Sequence, residues 1–513
     1  MKYQIKMTDF DKSTNDLERR RFAFRASIII SFITFLILLI VYTFEIGLLR
    51  DPDTYWHIKT GEWIVSNLAI PRIDNYSYLY SGNEWIAKEW LSQVVLYISY
   101  NYLGWRGVSI ISMFAIISSI FLFSQFLLYR LRFTIALGLI TVSIGLASGH
   151  FVARPHIFGS IFMIAWWIIL VNASERRSPP PLISCLLISL WANFHGGFTL
   201  GLLIAGIMAA EAVWQSSPSS RVIVLKRWVL FLVASTVAGC LTPYGINSML
   251  VTVKIYSLGP VLRHVQEWRS VDFRDFWHFE IWLLFLLSMA LIFGSRINPF
   301  RVIVLIGLLH LSLTSVRGIM IFSYSVPILL ASQLTRQFGF LRFGGPIPEV
   351  AIGGRPLQWQ NRHIVFTIAA VVIIGSAAFH SLATDQYKPM ESISPNDALL
   401  FAKENYLDKY VLNHYNFGGF LIFNDVKTFI DGRAEFYGKE FVLEYINSSR
   451  GNNNETIPKL AEKYGTTWTL FPPDTLSVRQ LDASDQWSRA YSDDVAVIHT
   501  KSHLYKEQNR NYE

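Results

Sequence analysis

The sequence has little charge and almost no cysteine. Of its 513 residues, 16% are charged, whereas 52% are apolar and 15% are aromatic. Soluble chains carry about 25% charged residues, so the composition excludes a disordered protein and disfavours a fully soluble multi-domain enzyme. The two cysteines, Cys185 and Cys240, both lie within apolar runs, which excludes a disulfide framework.

The sequence contains many long apolar runs. Crossing the hydrocarbon core takes about 20 apolar residues, and eleven runs are interpreted as crossings: 26–49, 106–129, 132–149, 156–173, 181–195, 198–214, 228–244, 280–294, 300–314, 318–333 and 363–383. The first run is longer than the apolar core of a signal peptide, so we expect a retained anchor. The predicted fold class is a polytopic α-helical membrane protein, with its membrane domain over 26–383.

Basic residues predict the orientation of these crossings. Short cytoplasmic loops collect Lys and Arg, and with a cytoplasmic N-terminus at 1–25 all five inner loops are basic. If the amphipathic stretch 89–103 crossed the membrane, the basic loops after it would lie on the outer side. We therefore expect this stretch to lie in the outer interface. Residues 334–362 then form a cytoplasmic linker, and the outer face holds the segments 50–105, 246–279 and 384–513.

Acidic residues are concentrated on that outer face. Between residues 25 and 382 there are fourteen acids, of which six lie at 51–89 and four at 267–280. A transporter would place buried charges near the middle of the membrane. The distribution therefore favours a site at the outer interface.

The first outer loop carries the clearest chemical pattern. Asp51 and Asp53 follow the first crossing, His57 lies one helical turn further on, and Glu62 follows it. Such a cluster could deprotonate an acceptor hydroxyl or hold a divalent cation. The alternative is a solvated loop in which Asp53 caps a helix.

This loop, with its acidic pair, amphipathic helix and Lys88-Glu89 before an interfacial helix, resembles the first outer loop of GT-C glycosyltransferases. These enzymes use polyprenyl-phosphate sugars. The resemblance implies that Asp51 and Asp53 form the catalytic base or a metal-binding pair. Four further residues of this loop are predicted to bind substrate: His57, Glu62, Lys88 and Glu89. Further segments are similar to those of prokaryotic multi-pass proteins with GT-C-like features: 153–156, 190–197, 241–245 and 429–433.

Cationic and polar residues at the predicted outer helix ends could hold the donor phosphate, with arginine as a bidentate partner. These residues are Arg154, His156, Asn193, His195 and Arg317. In the second outer loop, Glu267 and Arg269 lie among aromatic residues, a mixture that suits sugars. The alternatives are arginines that reach to lipid headgroups and an aromatic belt at the interface.

The C-terminal segment 384–513 differs from the rest, with a net charge of −5 against +13 for residues 1–383. Its pattern predicts a small α/β domain with strands at 409–413, 427–431, 467–471 and 494–500. Two loop motifs, 416–420 and 431–435, have either a structural role or one in acceptor recognition. A lone Gly-Gly pair does not make a phosphate loop, and neither a Walker nor a Rossmann pattern occurs.

Together these patterns predict a multi-pass inner-membrane glycosyltransferase. It would transfer a hexose or pentose, with inversion, from a polyprenyl phosphate to an extracytoplasmic lipid, glycan or protein. No nucleic-acid partner is predicted. Three alternatives remain: a flippase or transporter of lipid-linked glycans, a non-catalytic assembly factor for envelope polysaccharide, and a polysaccharide polymerase or ligase with its site at 246–279.

Overall fold

The computed structural model describes residues 9–43, 47–264, 266–341, 387–407, 409–451 and 456–502. The predicted crossing at 363–383 and most of the predicted linker lie outside these ranges. Each of the other ten predicted crossings coincides with a helix.

The described part of the chain up to residue 341 is mainly helical. Its helices are α1 (Asp9–Thr43), α2 (Asp53–Asn67), α3 (Trp90–Arg130), α4 (Phe133–Ala147), α5 (Pro155–Arg176), α6 (Cys185–Phe194), α7 (Phe198–Trp214), α8 (Arg221–Gly239), α9 (Asn247–Ser257), α10 (Trp277–Phe293), α11 (Pro299–Thr314) and α12 (Gly318–Gln337). Among the described residues, α3, α4 with its 3-10 extension, α5, α8 and α12 are long and apolar enough to cross a membrane. Shorter apolar helices include α6, α7, α10 and α11. The chain is a membrane protein with several apolar helices, and the number of crossings stays a prediction.

Local sequence sets several helix boundaries. Pro155 and Pro299 begin α5 and α11, where a missing N–H costs nothing because it would have no helical partner. Gly104 breaks α3 with φ 59°, so the predicted interfacial stretch 89–103 is a separate helical segment before the long apolar one. At α2 the predicted cap is wrong: the helix begins at Asp53, and Asp51 Oδ1 accepts the Asp53 N–H at 2.9 Å.

Charged side chains are buried at one end of the helix bundle. Arg301 of α11 donates to Glu211 of α7 at 2.9 Å and lies 3.2 Å from Glu175 of α5. Glu175 also lies near Arg130 of α3 and Arg336 of α12. Because α3, α5, α7 and α12 all end here, their first residues lie at the opposite end of the bundle.

The C-terminal domain is a small α/β unit. Its helices are α13 (Asn396–Glu404), α14 (Gly418–Phe423), α15 (Ala434–Tyr437), α16 (Lys439–Arg450), α17 (Ile457–Lys463) and α18 (Leu476–Asp482). Its strands are β1 (Val411–Asn413), β2 (Trp468–Phe471), β3 (Trp487–Ser492) and β4 (Val497–Lys501), in the order β1-β2-β4-β3. In this sheet β1 and β2 pair in parallel, and the β2–β4 and β3–β4 pairs are antiparallel.

Three of the four predicted strands are confirmed, and the one at 427–431 is wrong. That segment carries the buried pair Phe429 and Ile430, but it makes a single bridge, between Thr428 and Ser77 of the first outer loop. One bridge to a loop is too short to extend a sheet. The segment instead fastens the C-terminal domain to the loop that follows α1.

Candidate active site

A cavity of about 530 Å³ lies between the helix bundle and the C-terminal domain, within the size range of ligand sites. Its membrane-side wall is formed by residues that follow α1 or precede α3, α5, α10 and α12. The charged ones are Arg50, Asp51, Asp53, Lys88, Glu89, Arg154, Glu267 and Arg317, and all but Arg50 were predicted as site residues. The structure thus brings together seven of the residues predicted from sequence, although they span more than half of the chain.

Arg154 is the centre of this charged group. Its Nη1 lies 3.1 Å from Asp51 Oδ2, and its Nη2 lies 2.8 Å from Asp53 Oδ2. Glu267 also accepts a hydrogen bond from Nη1. Arg154 therefore binds three carboxylates, and its planar guanidinium is suited to such pairing. The role of Arg154 as a phosphate ligand stays a prediction, and both of its Nη groups pair with carboxylates.

The three carboxylates differ in their affinity for a proton. Burial raises the pKa of Asp53 to about 7; Arg154 opposes the rise, and the Asp51 and Glu267 carboxylates add to it. Burial also raises the pKa of Asp51. For Glu267, Arg154 and Arg317 outweigh burial and lower its pKa to about 2. Asp53 can therefore exchange a proton near neutral pH.

Behind the cavity wall, Glu89 faces two imidazoles. His195 Nε2 lies 3.6 Å from Glu89 Oε1, and His57 Nε2 lies 4.0 Å from Glu89 Oε2. Burial raises the pKa of Glu89 and lowers that of His57 well below its usual value. His57 therefore contacts Glu89 and Gln93 in place of the predicted partner Asp53, as a neutral group of the supporting layer.

Two further predicted residues stabilise helix ends. The buried His156 has its Nε2 2.8 Å from the carbonyl oxygen of His150. Asn193 accepts a hydrogen bond from Trp90 Nε1 at 2.7 Å and donates to the carbonyl of Leu241 at 2.9 Å. Neither side chain lines the cavity, so their contacts support the wall from behind.

Glu62 and Arg269 lie away from the cavity. Glu62 pairs with Lys59 at 2.9 Å and lines a separate cavity of about 420 Å³ beside the C-terminal domain. Arg269 pairs with Asp275 at 3.0 Å near the protein surface, with 41% of its side chain exposed. Both residues were predicted from their place in the sequence beside other charged residues. In the structure, Glu62 lies on a face of α2 and Arg269 in a loop that do not border the main cavity.

Comparison with family models and with curated proteins gave no match to this sequence. Among solved structures, the fold is similar to the apo form of the Archaeoglobus fulgidus oligosaccharyltransferase, at 11% identity and a TM-score of 0.46, over 85% of this chain and 69% of the other. It is also similar to ArnT from Cupriavidus metallidurans bound to undecaprenyl phosphate, at 11% identity and a TM-score of 0.45, over 93% and 98% of the two chains.

The opposite wall of the cavity comes from the C-terminal domain, and sequence reasoning missed it. Glu435 Oε1 lies 2.9 Å from Lys88 Nζ, and Tyr415, Asn416 and Arg450 line the same wall. The signal was present in the two loop motifs at 416–420 and 431–435. Nothing in their local pattern, however, indicates that they contact a loop more than 300 residues earlier.

The residues at 51 and 53 do not fit a metal site. Among the described residues, no group of three or more His, Cys, Asp or Glu side chains is arranged to hold a metal ion. Asp51 and Asp53 each give an oxygen to Arg154, so a cation bound between them would meet the positive charge of that guanidinium. The predicted metal role therefore does not suit this arrangement.

Proposed function

We propose that this protein is a membrane glycosyltransferase that moves a sugar from a polyprenyl-phosphate donor to a hydroxyl group of an extracytoplasmic acceptor. The observation that carries the proposal is one cavity, at one end of apolar helices, that combines a carboxylate of raised pKa with fixed cations. A donor lipid needs access from the bilayer, and its headgroup would meet the cavity at the helix ends.

Asp53 is the proposed general base. A base works best when its pKa lies near the operating pH, and the pKa of Asp53 is raised to about 7 by burial. Asp51 stabilises the start of α2 through the Asp53 N–H. Arg154 orients both carboxylates.

Arg317 and Lys88 are the proposed partners of the donor phosphate. Arg317 Nη1 lies 3.8 Å from Glu267, and Lys88 pairs with Glu435 across the cavity. Cations held in advance stabilise the charge that develops on a leaving phosphate in the transition state. The acceptor oxygen would form its bond to the anomeric carbon as the bond to the phosphate oxygen breaks, with inversion, while Asp53 takes the hydroxyl proton.

Substituting the two aspartates tests this assignment. Purified Asp53→Asn should release polyprenyl phosphate from a panel of polyprenyl-phosphate hexoses and pentoses about 100-fold more slowly than wild type, because general-base catalysis is worth about that much or more. Asp51→Asn should lose less, because it retains an oxygen that can cap α2. The control is Asp474→Asn, an exposed carboxylate of the C-terminal domain. Transfer by Asp53→Asn at the wild-type rate would remove Asp53 from the mechanism.

A liposome assay separates transfer from lipid movement. Vesicles that contain the purified protein, a labelled polyprenyl-phosphate sugar and mixed acceptors should yield free polyprenyl phosphate and a glycosylated product. Movement of the labelled lipid between leaflets without any product would favour a flippase instead.

A further inference from the structure

Two glycines of the C-terminal domain contact the catalytic segment directly. A Cβ atom at Gly432 would overlap the carboxylate of Asp53, and the three atoms that it would meet first all belong to Asp53. A Cβ atom at Gly419 would overlap the carbonyl oxygen of Pro52. The backbone of the domain thus lies against two successive residues of the segment that carries the proposed base.

Glycine is required at these two positions because neighbouring atoms leave no room for a Cβ atom, and not because of the backbone conformation. Neither Gly419 nor Gly432 is among the residues with positive φ, so alanine could adopt either backbone conformation. The effect of an added methyl group at 432 would therefore act on Asp53.

A buried ion triad holds the Gly432 loop in place. Arg433 pairs with Asp431 of its own loop and with Asp74 of the first outer loop, both at 2.7 Å, and is 1% exposed. Its guanidinium lies 4.7 Å from the ring centre of Trp85. Tyr437 also donates to Asp431 at 2.6 Å. Because every member has a partner, this loop is fixed to the loop that follows α1.

The Gly419 contact is supported by packing on α2. Tyr55 of α2 stacks edge to face on Phe420, the residue after Gly419, and its hydroxyl lies 2.7 Å from Ser394 Oγ. Phe417 and Phe420 are buried beneath this contact. The start of α2, with Asp53 as its first residue, is therefore held from the C-terminal side as well.

We propose that Gly419 and Gly432 are positioning residues, and that the C-terminal domain sets the place of Asp53 against Arg154. The inference rests on the proposed function, because it assigns the base of that reaction a second, remote support. The domain is then a structural part of the active site and cannot be removed without displacing the base.

Kinetics of alanine variants test the positioning role. Gly432→Ala should lower kcat about 10- to 100-fold, the size expected for a displacement of about 1 Å, while the KM for the polyprenyl-phosphate sugar changes less than about twofold. Gly419→Ala should act in the same direction. Gly307→Ala is the control, because a Cβ atom there meets open space. Gly432→Ala with wild-type kcat would overturn the proposal.

A double-mutant cycle tests the contact without relying on activity. Gly432→Ala should lower the thermal midpoint of the detergent-purified protein, but the same change in an Asp53→Ala background should leave it unchanged, because the overlapping atoms are gone. Equal losses in the two backgrounds would overturn the contact. Gly432→Ala alone could fail to accumulate in membranes. In that case, recovery of the double variant in the same amount as Asp53→Ala supports the proposal, and failure to recover either variant overturns it. Absence of transfer by wild type would refute the proposed function, while this cycle would still report on the contact.

Discussion

Three effects set the pKa of the Asp53 carboxyl group. It is buried, which disfavours its charge; it lies beside Asp51 and Glu267, which disfavour it further; and it pairs with Arg154, which favours it. The balance leaves a pKa of about 7, whereas a solvated aspartate titrates near 4. A group of this kind changes its protonation state within the physiological pH range.

The pH dependence of transfer follows from that value. A general base is active only when deprotonated, so kcat/KM should rise about tenfold per pH unit below 7 and level off above it. Asp53→Asn should give a low rate that does not vary in this range. Steady-state kinetics between pH 5.5 and 8.5 would measure both profiles. A wild-type profile that is flat over this range would contradict the assignment of the base to Asp53.

The residues of the site could be predicted in part. Asp51 and Asp53 were recognisable because they follow an apolar run and belong to the acidic concentration on one face. The pairing of Arg154 with them was not, because each of these residues has an ordinary local pattern and the contact joins positions about 100 residues apart. Glu435 was missed for the same reason, since its contact with Lys88 is set by how the C-terminal domain docks.

Elements were predicted best where one physical signal dominates. The long apolar runs of α3, α5 and α12 are unambiguous because the bilayer requires their length. The edge strand β3 was missed because its sequence, Trp-Ser-Arg-Ala-Tyr-Ser, does not alternate regularly between apolar and polar residues. Its pairing with β4 also shifts register between Arg489 and Tyr491. The segment at 427–431 has the composition of a strand, but its backbone partners lie in the first outer loop.

The contact between that loop and the C-terminal domain depends on Arg433. Arg433→Ala leaves Asp74 and Asp431 buried without their cation, and breaking a buried pair in this way costs about 3–5 kcal/mol. We expect a clear fall in the thermal midpoint of the purified protein. The matched control is Arg489→Ala, whose pair with Asp482 is 44% and 38% exposed and should contribute about 1 kcal/mol or less. Similar midpoints for the two variants would contradict a stabilising role of this buried ion triad.

At the scale of the whole molecule, the two ends of the helix bundle carry different charged groups. One end holds the cavity and the docked C-terminal domain. The other end holds the buried network of Arg301, Glu211 and Glu175. The described residues thus place the cavity and the buried ion network on opposite sides, as expected for a site that is open to only one leaflet.

The orientation of these ends can be tested by cysteine labelling. The background is a Cys185→Ser, Cys240→Ser variant, into which single Ser→Cys changes are introduced. Ser81 and Ser492 lie on the cavity side, and Ser178 and Ser219 lie between helix ends on the other side. All four side chains are exposed. A membrane-impermeant maleimide should label the first two variants in intact cells and the last two only after permeabilisation, because basic loops stay in the cytoplasm. The opposite pattern would put Asp53 on the cytoplasmic side, where an acceptor outside the cell membrane could not reach it, and the proposed reaction would fail.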